Sequence, residues 1–352
     1  MRLTVALSAL AMAGSLMGCA AETAVSQDND VAETSDELFG FVPPHCNLIF
    51  TSEHKVDVGG GVKLHVIAKH SVRSLAAIQR RAILMLPPTL ATNVIYDAKV
   101  PGDNSYNELD RAARKGYFAY AVTYEGYGKS SQPADGSTVT AERMLNQIGK
   151  VVEWVRWNSL ADKVDLFGMS LGSNLAVALG GTQSPINRHH VGRLILTSHV
   201  YKSVTPFFEQ AFFSPEFRAF LESAPNGYIE TDPSAYGALM DHVEPAALNW
   251  LGNALSGRYA TGPTLEGFDL PVFDGVYGRA PALQFWGDED PVTPLSDVAQ
   301  FQSEYGGPVD LRVIPNGGHS LALEPGREAF FSEMFGFLDQ GRLPIPTLGC
   351  PQ

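Results

Sequence analysis

The chain has 352 residues, 45% of them hydrophobic and 18% charged, with a formal net charge of −13 at pH 7. Such an acidic balance argues against nucleic acid as a partner. Beyond the N-terminus no stretch is long and apolar enough to span a bilayer as a helix, which needs about 20 residues.

Residues 1–18 carry a single charge, Arg2, followed by an apolar or small run from Leu3 to Met17. This pattern predicts a secretory signal segment. Its ending, Leu16-Met17-Gly18-Cys19, resembles a bacterial lipoprotein signal, which implies cleavage before Cys19 and a lipid on its sulfur. Ordinary cleavage near Ala20 or Ala21 is the alternative. Export places the protein in the cell envelope, anchored through Cys19, or in the medium if Cys19 carries no lipid. Three cysteines are present, Cys19, Cys46 and Cys350. With Cys19 lipidated an even pair remains, and an oxidising compartment favours a Cys46–Cys350 disulfide joining the two ends of the domain. Two unpaired thiols are the alternative. Residues 19–40 hold six acids, no cation and few large apolar residues, which predicts a solvated tether. Residues 1–40 contribute one cation and six acids, so the remainder carries −8 of the formal charge.

The remaining 310 or so residues suit a large α/β domain with an insertion. Residues 55–58 and 62–68 read as a hairpin around Gly59-Gly60-Gly61, and no Gly-Lys-Ser/Thr follows to make those glycines a phosphate loop. A short apolar strand, 82–86, stops at Pro87-Pro88. The spacing predicts a helix over 104–115 ending at Gly116, a strand over 118–124 and a long helix over 141–158 with Val151, Val152, Trp154 and Val155 facing the core. Strands follow at 163–167, 193–197, 282–286 and 310–314, with helices near 294–304 and 325–339. Strands alternating with helices imply a mostly parallel sheet covered on both faces, with reactive groups at the carboxyl ends of its strands. Residues 200–279 interrupt the alternation. They are expected to form a mainly helical cap between the core segments 41–199 and 280–352. The cap is rich in Phe, and Phe207, Phe208 and the core-edge His199 are candidates for the pocket wall.

Gly168-Met169-Ser170-Leu171-Gly172 lies between an apolar strand and a small-residue helix. In that context Gly-x-Ser-x-Gly reads as a nucleophile elbow, a strained turn that presents the Ser170 hydroxyl beside a helix N-terminus. His319 follows the last strand in Pro315-Asn316-Gly317-Gly318-His319, where two glycines leave the loop free to aim the imidazole, and is the candidate general base. Three carboxylates, Asp288, Glu289 and Asp290, follow the strand ending at Trp286. Asp290 is the expected acid partner of the base, with Asp288 next.

These pieces resemble the α/β-hydrolase superfamily over roughly residues 55–340. The resemblance rests on Leu84-Met85-Leu86-Pro87-Pro88, Tyr124-Glu125-Gly126-Tyr127-Gly128-Lys129-Ser130, the elbow, Trp286-Gly287-Asp288-Glu289-Asp290 and Gly317-Gly318-His319. It implies the α/β-hydrolase fold and a serine hydrolase of esterase or lipase type, with the chain order Ser170, Asp290, His319 and the acid at the end of Gly-x-x-Asp. Substrates would be small-molecule or lipid esters, and no cofactor or metal is implied. The family's His-Gly after the 82–86 strand is replaced by Pro87-Pro88. Proline has no N–H to donate, so the expected oxyanion donors are the Leu171 and Thr89 amides, with Leu90 as fallback. Competing functions are an aminopeptidase-like or amide hydrolase, with Glu209, Glu216, Asp241 or Glu244 holding a substrate amine, and a non-catalytic binding or structural envelope lipoprotein.

Overall fold

A computed structural model describes residues 48–344 apart from 238, 239 and 241. The expected signal segment, the acidic tether, Cys19, Cys46 and Cys350 lie outside the described residues.

The chain enters through an antiparallel hairpin of β1 (Ile49–Asp57) and β2 (Lys63–Ser71). Gly59, Gly60 and Gly61 all take positive φ, at 85°, 63° and 80°, which explains the glycine triplet as a turn. A short α1 (Val72–Ala76) leads to β3 (Ala82–Leu86), then α2 (Glu108–Arg114), β4 (Phe118–Val122), α3 (Ala141–Ser159), β5 (Val164–Met169), α4 (Leu171–Leu179) and β6 (Val191–Thr197). After the excursion described below come β9 (Ala282–Gly287), α9 (Leu295–Glu304), β10 (Val309–Ile314) and α10 (Arg327–Asp339).

Eight strands form one sheet in the order β1-β2-β4-β3-β5-β6-β9-β10. Only β2 runs against its neighbours; from β4 to β10 every pairing is parallel. Every residue of β3, β4 and β5 is buried, because helices cover both faces of the central strands. Each fully buried Val, Leu, Ile, Met or Phe side chain there stabilises the fold by roughly 1.5–3 kcal/mol. The edge strands β1 and β10 are largely exposed and carry charged residues, which discourages pairing with other chains. This is the α/β-hydrolase fold. On α3, Val151, Val152 and Val155 are fully buried and Trp154 packs partly against the core. Its N-terminus is capped by the Thr140 hydroxyl, which accepts from the Arg143 amide.

One expected helix divides. Residues 104–115 form a 3-10 turn, Asn104–Tyr106, and then α2. Asn107 between them is extended, and its side-chain oxygen accepts from the Asp110 amide. The Asn side chain thus competes for the backbone and restarts the helix one turn late.

The stretch 200–279 contains α5 (Pro206–Phe212), α6 (Pro215–Glu222), β7 (Tyr228–Thr231), α7 (Pro245–Leu255), β8 (Gly257–Ala260) and α8 (Gly262–Glu266). β7 and β8 pair antiparallel as a separate two-stranded sheet. Pro at the first helical turn, after a Thr205 or Ser214 cap, starts α5 and α6.

Candidate active site

The turn between β5 and α4 explains why its sequence is Gly-x-Ser-x-Gly. Ser170 sits at φ 52°, ψ −117°, a strained conformation for a residue with a side chain. A Cβ on Gly168 would lie 2.3 Å from the Gly172 carbonyl oxygen, and one on Gly172 would lie 2.0 Å from the Leu86 oxygen. Both positions therefore require glycine. The strain is held by the Ser170 amide donating to the Thr197 carbonyl at 2.9 Å and by the Ser173 hydroxyl donating to Gly168 at 2.7 Å.

β9 and β10 deliver the acid and the imidazole. The His319 Nδ1 lies 2.9 Å and 3.1 Å from the two Asp290 carboxylate oxygens. The Asp290 side chain is completely buried and that of His319 only 7% exposed, so this pair is shielded from water. Asp290 Oδ1 also accepts from the Val292 and Thr293 amides. Gly287 lets the two loops touch, since a Cβ there would lie 2.2 Å from the Gly317 oxygen. The neighbouring acids are otherwise engaged. Asp288 accepts from the Asn316 amide at 2.6 Å, and Glu289 faces the His242 Nε2 at 3.5 Å.

Ser170, Leu171, Thr89, Leu90 and His319 all line one cavity of about 140 Å³. Its remaining wall is mostly apolar, with Asn174, Thr231, Tyr236, Thr264 and Ser320 as polar exceptions: Met169 and Val292 come from the core, and Val200, Phe208, Phe212, Phe213, Phe217, Leu270 and Val272 from the excursion. Asp290 reaches the cavity only through His319. The four phenylalanines of the excursion also pack on one another; Phe208 stacks on Phe212 at 4.6 Å between ring centroids, and Phe212 meets Phe217 edge-on at 5.6 Å. They line the cavity and pack on one another at once.

The Pro87-Pro88 turn is held by tyrosines. Tyr96 donates to the Leu86 carbonyl at 2.6 Å, Tyr124 to Pro87 at 2.8 Å, and Tyr236 lies 3.0 Å from the Leu90 oxygen. Leu90 takes φ 59° to complete the turn. Burial holds the hydroxyls of Tyr96 and Tyr124 well above the ordinary tyrosine pKa, so they remain donors.

Two expected pocket residues are elsewhere. Phe207 is 48% exposed and does not line the cavity, because it lies about 100° around α5 from Phe208. His199 is 1% exposed and packs its ring edge-on to Phe301 at 4.3 Å, away from the cavity. Neither of its ring nitrogens has a hydrogen-bond partner, and burial lowers its pKa to about 3.

Sequence reasoning missed Glu324 and Ser198. The Glu324 carboxylate accepts from the Gly318 and Ser320 amides, both at 2.8 Å, and the Ser198 hydroxyl donates to the His319 carbonyl. Burial raises the Glu324 carboxyl above its usual range, against the Gly318 and Ser320 amide bonds and, more weakly, the fields of His242 and His319. Neither residue belongs to a sequence motif that marks it. Among the described residues no group of three His, Cys, Asp or Glu side chains is arranged to hold a metal.

A family model described as the alpha/beta hydrolase family matches residues 100–331. The chain belongs to that family. Solved structures show the same fold at low identity. A soluble variant of monoglyceride lipase from Saccharomyces cerevisiae superposes with a TM-score of 0.62 at 13% identity, over 83% of this chain and 95% of that one. A carboxylesterase from Bacillus subtilis gives 0.59 at 17% identity, over 84% and 94%. An esterase from Exiguobacterium antarcticum gives 0.59 at 20% identity, over 83% and 100%. No curated protein matches the chain significantly by sequence.

Proposed function

We propose that the protein is a serine hydrolase that cleaves uncharged carboxylic esters with apolar acyl groups. The observation that carries this reading is the shielded His319–Asp290 pair opening onto the same cavity as the strained Ser170. Ser170 attacks the ester carbonyl as His319 Nε2 takes its proton. Asp290 keeps the Nδ1 proton in place and stabilises the imidazolium. The Leu171 and Thr89 amides receive the oxyanion. His319 then protonates the leaving alkoxide, and water activated by His319 releases the acid.

The cavity wall favours esters over the aminopeptidase-like alternative. No Asp, Glu, Lys or Arg is among its described lining residues, so no carboxylate there pairs with a substrate ammonium. Glu209 and Glu216 do not line it, and Glu244 is engaged by Arg327 and Tyr106. Asp241 lies outside the described residues.

A fluorophosphonate probe followed by peptide mapping tests the proposal. Labelling is expected at Ser170 and nowhere else in the folded protein; an unlabelled Ser170 would refute it. Faster turnover of aminoacyl anilides than of p-nitrophenyl butyrate would favour the amide alternative instead. The reading extends to an exported, lipid-anchored enzyme through Cys19, supported by the apolar run that precedes that residue. Substitution Cys19→Ala is expected to abolish metabolic labelling with a fatty acid, and retained labelling would oppose the anchor.

A further inference from the structure

His319 follows two glycines, so its own sequence gives its backbone little stiffness. Its position is supplied from outside the loop. After His319 the chain makes one 3-10 turn, Leu321–Leu323, which brings Glu324 back beneath the loop it has just left. Glu324 is 3% exposed. One carboxylate oxygen accepts from the amide before His319 and the other from the amide after it, each at 2.8 Å. The clamp thus straddles the imidazole-bearing residue. The His319 carbonyl is in turn held by the hydroxyl of Ser198, the residue just after β6. Glu324 is itself anchored, because its backbone carbonyl accepts from the Arg327 amide at 3.1 Å and from the Arg327 guanidinium at 3.0 Å. His242 packs over Gly318 and closes that side of the clamp, a Cβ on Gly318 falling 2.7 Å from the His242 ring.

We propose that Glu324 is a positioning residue for the proposed base: its bidentate clamp on the Gly318 and Ser320 amides sets the imidazole between Asp290 and Ser170. The inference rests on the serine-hydrolase reading above. Glu324 touches neither substrate nor any reacting atom. Its contribution is geometric, and geometry of this kind is sensitive: a displacement of about 1 Å at a reacting group can cost on the order of 100-fold in rate. A glutamine keeps the shape of the side chain but presents an NH2 group to one of the two amides. One bond is lost and a donor faces a donor, so the loop is released on one side of His319 while the phenylalanine wall of the cavity is untouched.

The test measures kcat and KM for p-nitrophenyl butyrate with the full chain, for wild type, Glu324→Gln and Glu324→Asp, with near-ultraviolet circular dichroism and Tm on each. The expected result is a folded Glu324→Gln protein whose kcat falls about 10- to 100-fold while KM stays within twofold, with its rate of phosphonylation by a fluorophosphonate falling in parallel. Glu324→Asp, whose carboxylate is one methylene shorter, is expected to fall in the same direction. A folded Glu324→Gln with kcat within twofold of wild type overturns the proposal, as does a rise in KM that accounts for the whole loss. If both variants fail to fold, Glu324 is a structural residue and the proposal is also overturned. Wild type that neither turns over the ester nor labels at Ser170 refutes the hydrolase reading itself, a result distinct from all of these.

Discussion

Gly172 is pressed against the carbonyl oxygen of Leu86, so that a Cβ at Gly172 would stand 2.0 Å from it. The contact brings the first turn of α4 onto the end of β3. Leu171 precedes Gly172 and Thr89 follows Leu86 closely in the chain, and both line the cavity as the two proposed oxyanion donors. Substitution Gly172→Ala is therefore expected to separate these elements, destabilising the protein by about 1–3 kcal/mol and lowering ester turnover more than the stability loss explains. Thermal denaturation and kcat/KM, measured together, check this; an unchanged Tm would show that the contact relaxes without cost.

The His319–Asp290 pair makes its own prediction. Asp290→Asn preserves the volume of the buried side chain, and its amide group can turn an NH2 toward Nδ1. The imidazole is then driven to the tautomer that cannot accept the Ser170 proton. A loss of about 10⁴-fold in kcat with little change in KM is expected. Stopped-flow or long-incubation ester assays measure it, and activity within tenfold of wild type would assign the acid elsewhere, with Asp288 the next candidate.

The phenylalanine wall predicts chain-length selectivity. Phe212 lines the cavity and stacks on Phe208. Truncation by Phe212→Ala opens space and is expected to shift the preferred p-nitrophenyl ester to longer acyl chains, at a stability cost of at most about 3–5 kcal/mol because Phe212 is only partly buried. A profile across acyl lengths that keeps its maximum would mean the acyl group does not reach this wall.

His199 predicts an acid-labile fold. Its folded pKa is depressed to about 3 by burial, against an ordinary value of 6.5. The native state thus binds fewer protons than the unfolded chain between those values. The stability from keeping His199 neutral is fully present above about pH 6.5 and is lost progressively as pH falls towards about 3. Replacement by Phe, which suits the aromatic contacts with Phe301 and Tyr201, is expected to flatten the fall of Tm between pH 6.5 and 4. An identical pH slope in the variant would show that other groups control acid unfolding.

Most of the fold was legible locally. The strands read at 82–86, 163–167, 193–197 and 282–286 match observed strands to within a few residues, because strands buried on both faces read as continuous hydrophobic stretches. The division at Asn107 was hidden, since helical spacing on both sides masked a side chain that caps the second segment. Pocket residues were harder still. Adjacent phenylalanines on a helix face different directions, and only the packing of α5 decides that Phe208 lines the cavity while Phe207 meets solvent.

By itself the sequence determined the order of the main core elements, the elbow at Ser170 and the candidate roles of Asp290 and His319, because each depends on residue types at short spacing. Tertiary structure alone decided which atoms meet. The bond between His319 and Asp290 spans 29 positions, and the donation of Tyr124 to Pro87 spans 37. Glu324 shows why the division falls there. A buried carboxylate bonded to two backbone amides leaves no trace in residue pattern, since amides are common to every non-proline residue and only the folded path aims two of them at one side chain.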